Sequence, residues 1–304
     1  MIFKIYIFHK IILDWMDAAM GMPSNIKLMV DSTSDLSKEL LEQYEISVVP
    51  LYVIMGSQSY KDNIDITTGE LYRRSDEEGI NPKTAAPSPA DFLHFFEQEL
   101  TEGKQILYIS MSSKVSSTNQ NAHIAASELP AGQIHIVDSM HLSASYAMLV
   151  VRAARALEAG TSLEHVIQDI ENVREKVNIE VLVDRLDYLY KGGRVSSLQH
   201  LIGNVLKVRP VLNIIEGEVR SIQKYRGKME KALDGVVQKI VTRKNEICPN
   251  VLIIAQTFAE KMAEKLHTSL KQTNHFKDII LIEGGCVIGS HTGPGTIAVS
   301  YIDL

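Results

Sequence analysis

The sequence predicts an α/β protein of two domains. A parallel-sheet α/β/α domain is expected over residues 26–160 and a mixed-sheet α/β domain over residues 161–304, with an N-terminal extension at 1–25. Three observations carry this. A length of 304 residues suits about two domains. In the first half, three apolar runs each end in a polar loop that opens a helix, the order expected of parallel strands with crossover helices. In the second half, hairpin signatures alternate with helical patterns, which mixes strand directions.

The elements follow in order. Ile26 to Val30 is an apolar strand ending at Asp31 to Asp35, and Leu36 to Tyr44 has helical spacing. Ser47 to Met55 reads as a strand entering a hairpin at Gly56, with Pro50 marking an edge or bulge position. Thr67 and Glu70 form a capping box for a helix through Tyr72, while Ser88 caps and Pro89 starts a helix whose face is Phe92, Leu93, Phe95, Phe96 and Leu100. Leu107, Ile109 and Met111 mark a strand that delivers the hydroxyl-rich loop Ser110 to Asn121 to another helix. Gln133 to Val137 is a strand, and Ser143 to Ala159 is a helix closed by Gly160.

The second half opens with a Thr161/Glu164 capping box and a helix to Lys176, then a strand at Ile179 to Val183. A short helix, Leu186 to Lys191, stops at Gly192 and Gly193, and Ser196 caps a helix carrying Leu198, Leu201, Ile202, Val205 and Leu206. Pro210 to Ile215 and Val219 to Tyr225 flank Glu216 to Glu218 as a hairpin, and a basic segment of Lys224, Arg226, Lys228 and Lys231 opens the next helix. Val251 to Ala255 and Ile279 to Ile282 are strands around a helix at Ala259 to Leu270. Gly289 to Thr296 reads as a polar loop before the last strand, Ile297 to Ile302.

Composition narrows the function classes. A net charge of -6 gives no electrostatic case for a nucleic-acid partner. Cys248 and Cys286 have neither redox nor metal-ligand spacing, and two cysteines suit a reducing cytosol rather than a disulfide framework. Ten histidines without paired spacing argue against a metal site. Residues 1–25 are apolar and aromatic but interrupted by Lys4, Lys10 and Asp14. They are too short and too interrupted to span a bilayer and lack a convincing cleavage site, so they read as a non-core extension upstream of a start at Met20 or Met22, with a peripheral membrane anchor as the minority alternative.

The loop Ser110 to Asn121 is the richest chemical feature. Hydroxyls and amides at a strand's carboxyl end, beside a helix start, suit a ligand with oxygens, above all an anion. Ordinary capping and loop formation are the competing explanation. A Ser-dependent esterase using a loop Ser with His291 and Asp31 or Asp138 is a second reading, weakened because no Gly-x-Ser-x-Gly elbow is present. Gly192 and Gly193 follow a helix and lack the P-loop lysine pattern, so by themselves they read as a helix stop.

Taken in order, Val30 to Asp35 (VDSTSD), Thr84 to Pro89 (TAAPSP), Ser112 to Ala122 (SSKVSSTNQNA), Val137 to Ser139 (VDS), Tyr188 to Ser196 (YLYKGGRVS), Pro210 to Leu212 and Ile288 to Thr296 (IGSHTGPGT) resemble the DegV family. This is the bacterial fatty-acid-binding family that includes the acyl-binding subunit of fatty acid kinase. The resemblance covers Ile26 to Leu304. It implies a cytoplasmic carrier in phospholipid metabolism, with no catalytic residue and no cofactor or metal, that buries a long-chain fatty acid in a tunnel. Its carboxylate would be presented to a separate fatty acid kinase subunit, with at most transient membrane contact and no integral membrane segment. Carried over residue by residue, the carboxylate ligands fall on Thr84, Ser116, Arg194 and His291, with Ser117 and Asn121 as secondary candidates and Arg226 in the region that meets the kinase. Hydroxyl, guanidinium and imidazole donors suit a carboxylate. Leu198, Ile202, Val205 and Leu212 are tunnel candidates, with ordinary core as the alternative. The chain departs from the family pattern at Ala85 and Ala86, where Ser and Gln are common, and at Ser117, where Gly is common.

Overall fold

A computed structural model describes residues 25–100, 104–195 and 208–304. The N-terminal extension and the helix expected after Ser196, with Leu198, Ile202 and Val205, lie outside the described residues. In the first half, β1 (Ile26–Asp31), β2 (Ser47–Val49), β6 (Gln105–Ser110) and β7 (Ile134–Asp138) form a parallel sheet in the order β2-β1-β6-β7. Leu28, Met29 and Val30 are all fully buried, as are Ile106 to Ile109. Such continuous burial, rather than alternation, means that both faces of the sheet are covered. On one face Met29, Ile106 and Tyr108 pack on Phe92 and Phe96 of α3 (Pro89–Glu99) and on Ala122 and Ala125 of α4 (Thr118–Ala126). The other face joins a core built around α5 (Ser143–Glu158), which also contacts the sheet of the second half.

The expected strand from Ser47 to Met55 is two strands in two sheets. β2 ends before Pro50, and β3 (Tyr52–Met55) joins β4 (Gln58–Lys61) and β5 (Lys83–Ala85) in an antiparallel sheet. Proline has no N–H for a ladder, and the next donor, the Leu51 N–H, goes to Ser32 Oγ at 3.1 Å instead. The chain therefore crosses between sheets at this point rather than bulging. The hairpin turn at Gly56 stands as expected, with φ +61°. Between these strands lie α1 (Lys38–Gln43) and α2 (Thr68–Glu78), the latter capped by Thr67. Ser88 and Asp91 complete a reciprocal capping box for α3.

The second half is a mixed sheet. β8 (Val177–Leu182), β9 (Val208–Ile215), β10 (Glu218–Arg226), β11 (Val251–Thr257), β12 (Asp278–Glu283) and β13 (Thr296–Ile302) lie in the order β10-β9-β8-β13-β11-β12, with β11 and β12 the one parallel pair. Its outer face is covered by α8 (Met229–Thr242) and α9 (Glu260–Lys271) through Leu233, Val236, Ile240, Leu266 and Leu270. Ile179, Ile253, Ala255 and Ala298 face the opposite way and join the core around α5. Two short helices, α7 (Leu186–Gly192) and α10 (Cys286–Thr292), sit beside one another.

Two boundaries differ from expectation. The cap of α6 (Leu163–Val173) is Ser162, not Thr161. The Thr161 N–H closes α5 instead, donating to the Ala156 carbonyl at 3.0 Å beyond Gly160 at φ +78°. The Gly289 to Thr296 segment is not all loop, because α10 runs through Thr292. Glycine at 289 reads as a breaker, yet a Cβ there would lie 2.8 Å from the Tyr72 hydroxyl, so close packing of α10 against α2 explains it.

Candidate functional site

Thr84, Ser116, Arg194 and His291 come from four separate segments, and all four line one cavity of about 640 Å³. The cavity lies where β1 and β6 end, reached by Thr33 and Met111, and against Ile179, Val181, Ala255 and Ala298 of the mixed sheet. Ligands of open α/β sheets bind at such strand ends. Most of its wall is apolar, from Leu51, Val115, Leu142, Leu189, Leu212, Ile214, Val219 and Val287 among others.

Thr84 sits on β5, opposite Val53, and its hydroxyl lies 2.8 Å from His291 Nε2 in the last turn of α10. Burial pushes His291 down to about 4, and the Arg194 charge adds to that shift while the Gly192 carbonyl opposes it. The imidazole is therefore neutral near pH 7, and its Nδ1 is buried without an aligned hydrogen-bond partner. A Cβ at position 192 would lie 2.4 Å from that nitrogen. Glycine there is a requirement of the approach between α7 and α10, in addition to ending the helix, where Gly193 takes φ +66°.

Arg194 is exposed on the cavity wall, with Nη1 on the Gly192 carbonyl at 2.9 Å. Ser116 Oγ pairs with the Thr118 hydroxyl at 2.7 Å and accepts from the Thr118 N–H at 3.2 Å. Ser117 lines the cavity and begins α4 without a side-chain cap. Asn121 is within α4 and not on the wall. Its amide donates to the Pro87 carbonyl at 2.8 Å, which ties α4 to the segment after β5. Arg226 is exposed at the end of β10, outside the cavity wall. Ala85 and Ala86, where the sequence departs from the family pattern, line the cavity.

Most other hydroxyls of the loop are structural. Ser110 bridges the Met111 carbonyl and the Asn119 amide, and buried Ser112 donates to the Gly217 carbonyl at 2.8 Å. The acids of the esterase reading are occupied elsewhere. Asp31 accepts from Thr33, from the Met111 N–H at 2.8 Å and from the Tyr108 hydroxyl, while burial raises its pKa against those bonds. Asp138 accepts from the Ser113 and Met140 N–H groups. Neither acid nor Ser116 is hydrogen-bonded to His291, so no serine triad is assembled among the described residues. Among the described residues no group of three or more His, Cys, Asp or Glu could hold a metal ion, and no helix is long and apolar enough to cross a membrane.

Sequence reasoning missed most of the wall. Ile179, Val181, Leu189 and Ile214 look like core from their periodicity, because burial in a core and burial against a cavity leave the same apolar pattern.

Fold and site together define an α/β protein of three sheets with a largely apolar cavity fringed by hydroxyl, guanidinium and imidazole groups. The family described as "Uncharacterised protein, DegV family" matches residues 25–304. A DegV domain-containing protein of Caldanaerobacter subterraneus is 32% identical over 276 residues, 91% of this chain and 98% of its own. A protein of Thermotoga maritima named fatty acid-binding protein is 30% identical over 277 residues, 90% of this chain and 96% of its own. The structure of a DegV family protein from Thermus thermophilus, described for its fatty acid binding, is similar with a TM-score of 0.85 at 32% identity, covering 92% of this chain and 100% of the other. This chain belongs to the DegV family.

Proposed function

We propose that this protein binds a long-chain fatty acid in the cavity, with the carboxylate held by Thr84, Ser116, Arg194 and His291. The observation that carries the proposal is the convergence of those four groups, from distant parts of the sequence, on one mainly apolar cavity. Its volume of about 640 Å³ lies within the range of small-ligand sites, roughly 300–1,000 Å³. Affinity comes mainly from the tail, at about 0.8 kcal/mol per buried methylene. Each hydrogen bond to the carboxylate adds about 1.5–3 kcal/mol and selects the head group. The fatty-acid-binding relatives support the same ligand class.

In this reading the chain is a carrier without catalytic residues of its own. It presents the carboxylate to a separate kinase subunit, which forms the acyl phosphate with ATP, and Arg226 lies on the surface that meets the kinase. Support for the division of labour comes from the sequence, which has no P-loop.

Gentle native mass spectrometry of the purified protein tests the ligand: a copurifying fatty acid is expected. A protein that neither carries one nor takes up added oleate refutes the proposal. For the partner, acyl phosphate formation by an added fatty acid kinase subunit is expected to depend on this chain. Arg226→Ala is expected to slow that reaction without changing oleate affinity.

A further inference from the structure

His291 is presented by a helix near the end of the chain, yet the hydroxyl it meets lies 207 positions earlier. That contact requires α10 to be seated accurately on the first half of the chain. Its seat is built around two carboxyl groups. Asp35 Oδ1 accepts from the Gly285 N–H at 2.8 Å, and Asp62 Oδ1 accepts from the Cys286 N–H at 2.7 Å. Asp35 follows β1 and Asp62 follows β4, so the two acids reach the start of α10 from separate sheets. The Thr68 hydroxyl completes the seat by donating to the Gly284 carbonyl at 3.1 Å.

Two buried acids are a costly choice for this task. Asp35 is 5% exposed and Asp62 2%, and each keeps its Oδ2 buried with no aligned hydrogen-bond partner. Serine or threonine would cap a helix at less desolvation cost. A carboxyl has a longer reach and a second oxygen, which lets it approach from another layer of the fold. The fit is close: a Cβ at Gly285 would lie 2.7 Å from Asn63 Nδ2 and 3.0 Å from Asp62 Oδ1. Burial raises the pKa of both acids, and the charge of Asp62 adds to the cost of ionising Asp35, which favours an uncharged carboxyl in the pair. An uncharged acid still accepts an N–H through its carbonyl oxygen.

We infer that Asp35 and Asp62 are positioning residues: they fix the start of α10 so that His291, in its last turn, meets Thr84 on the cavity wall. Neither lines the cavity, and both act through the helix. For its binding consequence this inference rests on the fatty-acid reading above; for the placement of His291 it does not.

The test compares Asp62→Ala with Asp62→Asn in the full chain. His291 is titrated by NMR of its imidazole in ligand-free protein, oleate affinity is measured by calorimetry, and Tm is recorded. In Asp62→Ala the His291 pKa is expected to rise from about 4 toward the ordinary 6.5 as α10 shifts and the ring gains water. Oleate binding should weaken about tenfold, the scale of one lost hydrogen bond to a charged group. Asp62→Asn should restore both values, because its amide oxygen still accepts from the Cys286 N–H. A folded Asp62→Ala protein with wild-type His291 titration and wild-type affinity overturns the inference, whatever its Tm. Should Asp62→Ala fail to fold, Gly285→Ala, whose methyl presses on Asp62, is read in the same way. If the wild-type protein binds no oleate, the fatty-acid reading fails, while the His291 titration still decides the positioning role.

Discussion

Arg194→Ala tests the proposed head-group site most directly. In the structure this guanidinium lines the cavity, spends one nitrogen on the Gly192 carbonyl and adds its charge to the depression of His291. A hydrogen bond to a charged partner contributes about 1.5–3 kcal/mol, or about a tenfold to hundredfold change in Kd. Arg194 is exposed, so solvent screening moves the expectation to the lower end, about tenfold weaker oleate binding. Removing the charge should also raise the His291 pKa, which NMR reads independently of ligand. Lys231→Ala is the control, since Lys231 is exposed on α8 and absent from the cavity wall. Calorimetry at fixed ionic strength measures both variants. Equal affinities for wild type, Arg194→Ala and Lys231→Ala would refute the head-group assignment.

Other expectations concern the cavity wall, the hairpin and acid stability. Ala255 and Ala298 face each other across β11 and β13, and both line the cavity. Ala298→Leu should fill ligand space rather than overpack a core, leaving Tm nearly unchanged while weakening long-chain fatty acids more than short ones. A Tm loss without a change in chain-length preference contradicts this. Gly217→Ala, at φ +82°, would bring a methyl within 2.7 Å of Ser112 Oγ and Lys114 Cγ at the tip of the β9–β10 hairpin. A cost of roughly 1–2 kcal/mol in urea unfolding is expected from the backbone conformation alone; an unchanged midpoint would argue against the turn. His141, with Nε2 2.7 Å from the Arg174 carbonyl, is held to about 4 by burial. Its folded pKa lies below the ordinary 6.5, so the unfolded chain binds its proton more tightly. The stability it contributes is present above about pH 6.5 and is lost as pH falls toward 4. The raised pKa values of Asp31, Asp35 and Asp62 act with the opposite sign, so the comparison with His141→Gln isolates the histidine. The variant should show a stability slope shallower by up to about 1.4 kcal/mol per pH unit in that window, and equal slopes in urea unfolding at several pH values would refute it.

Much of this protein was legible in its sequence. Apolar runs such as Ile26 to Val30 and Ile106 to Ile109 define buried parallel strands because both faces of such strands leave water. Ser88, Pro89 and Asp91 define a helix start because capping is a contact among near neighbours. The ordered set of short motifs identified the family and its candidate ligand residues. Errors arose where distant contacts overrode local signals. Pro50 marks a crossing between sheets because Ser32 takes the next N–H, and a helix runs through Gly289 because Tyr72 packs where a side chain would stand. Thr84, Ser116, Arg194 and His291 meet on one cavity only after three sheets and the seat of α10 are assembled. Sequence thus determined which segments become strands, helices and polar loops, since these depend on periodicity and near-neighbour hydrogen bonds. Tertiary structure alone decided which apolar residues line a cavity and which fill a core, because that depends on what packs against them across the fold.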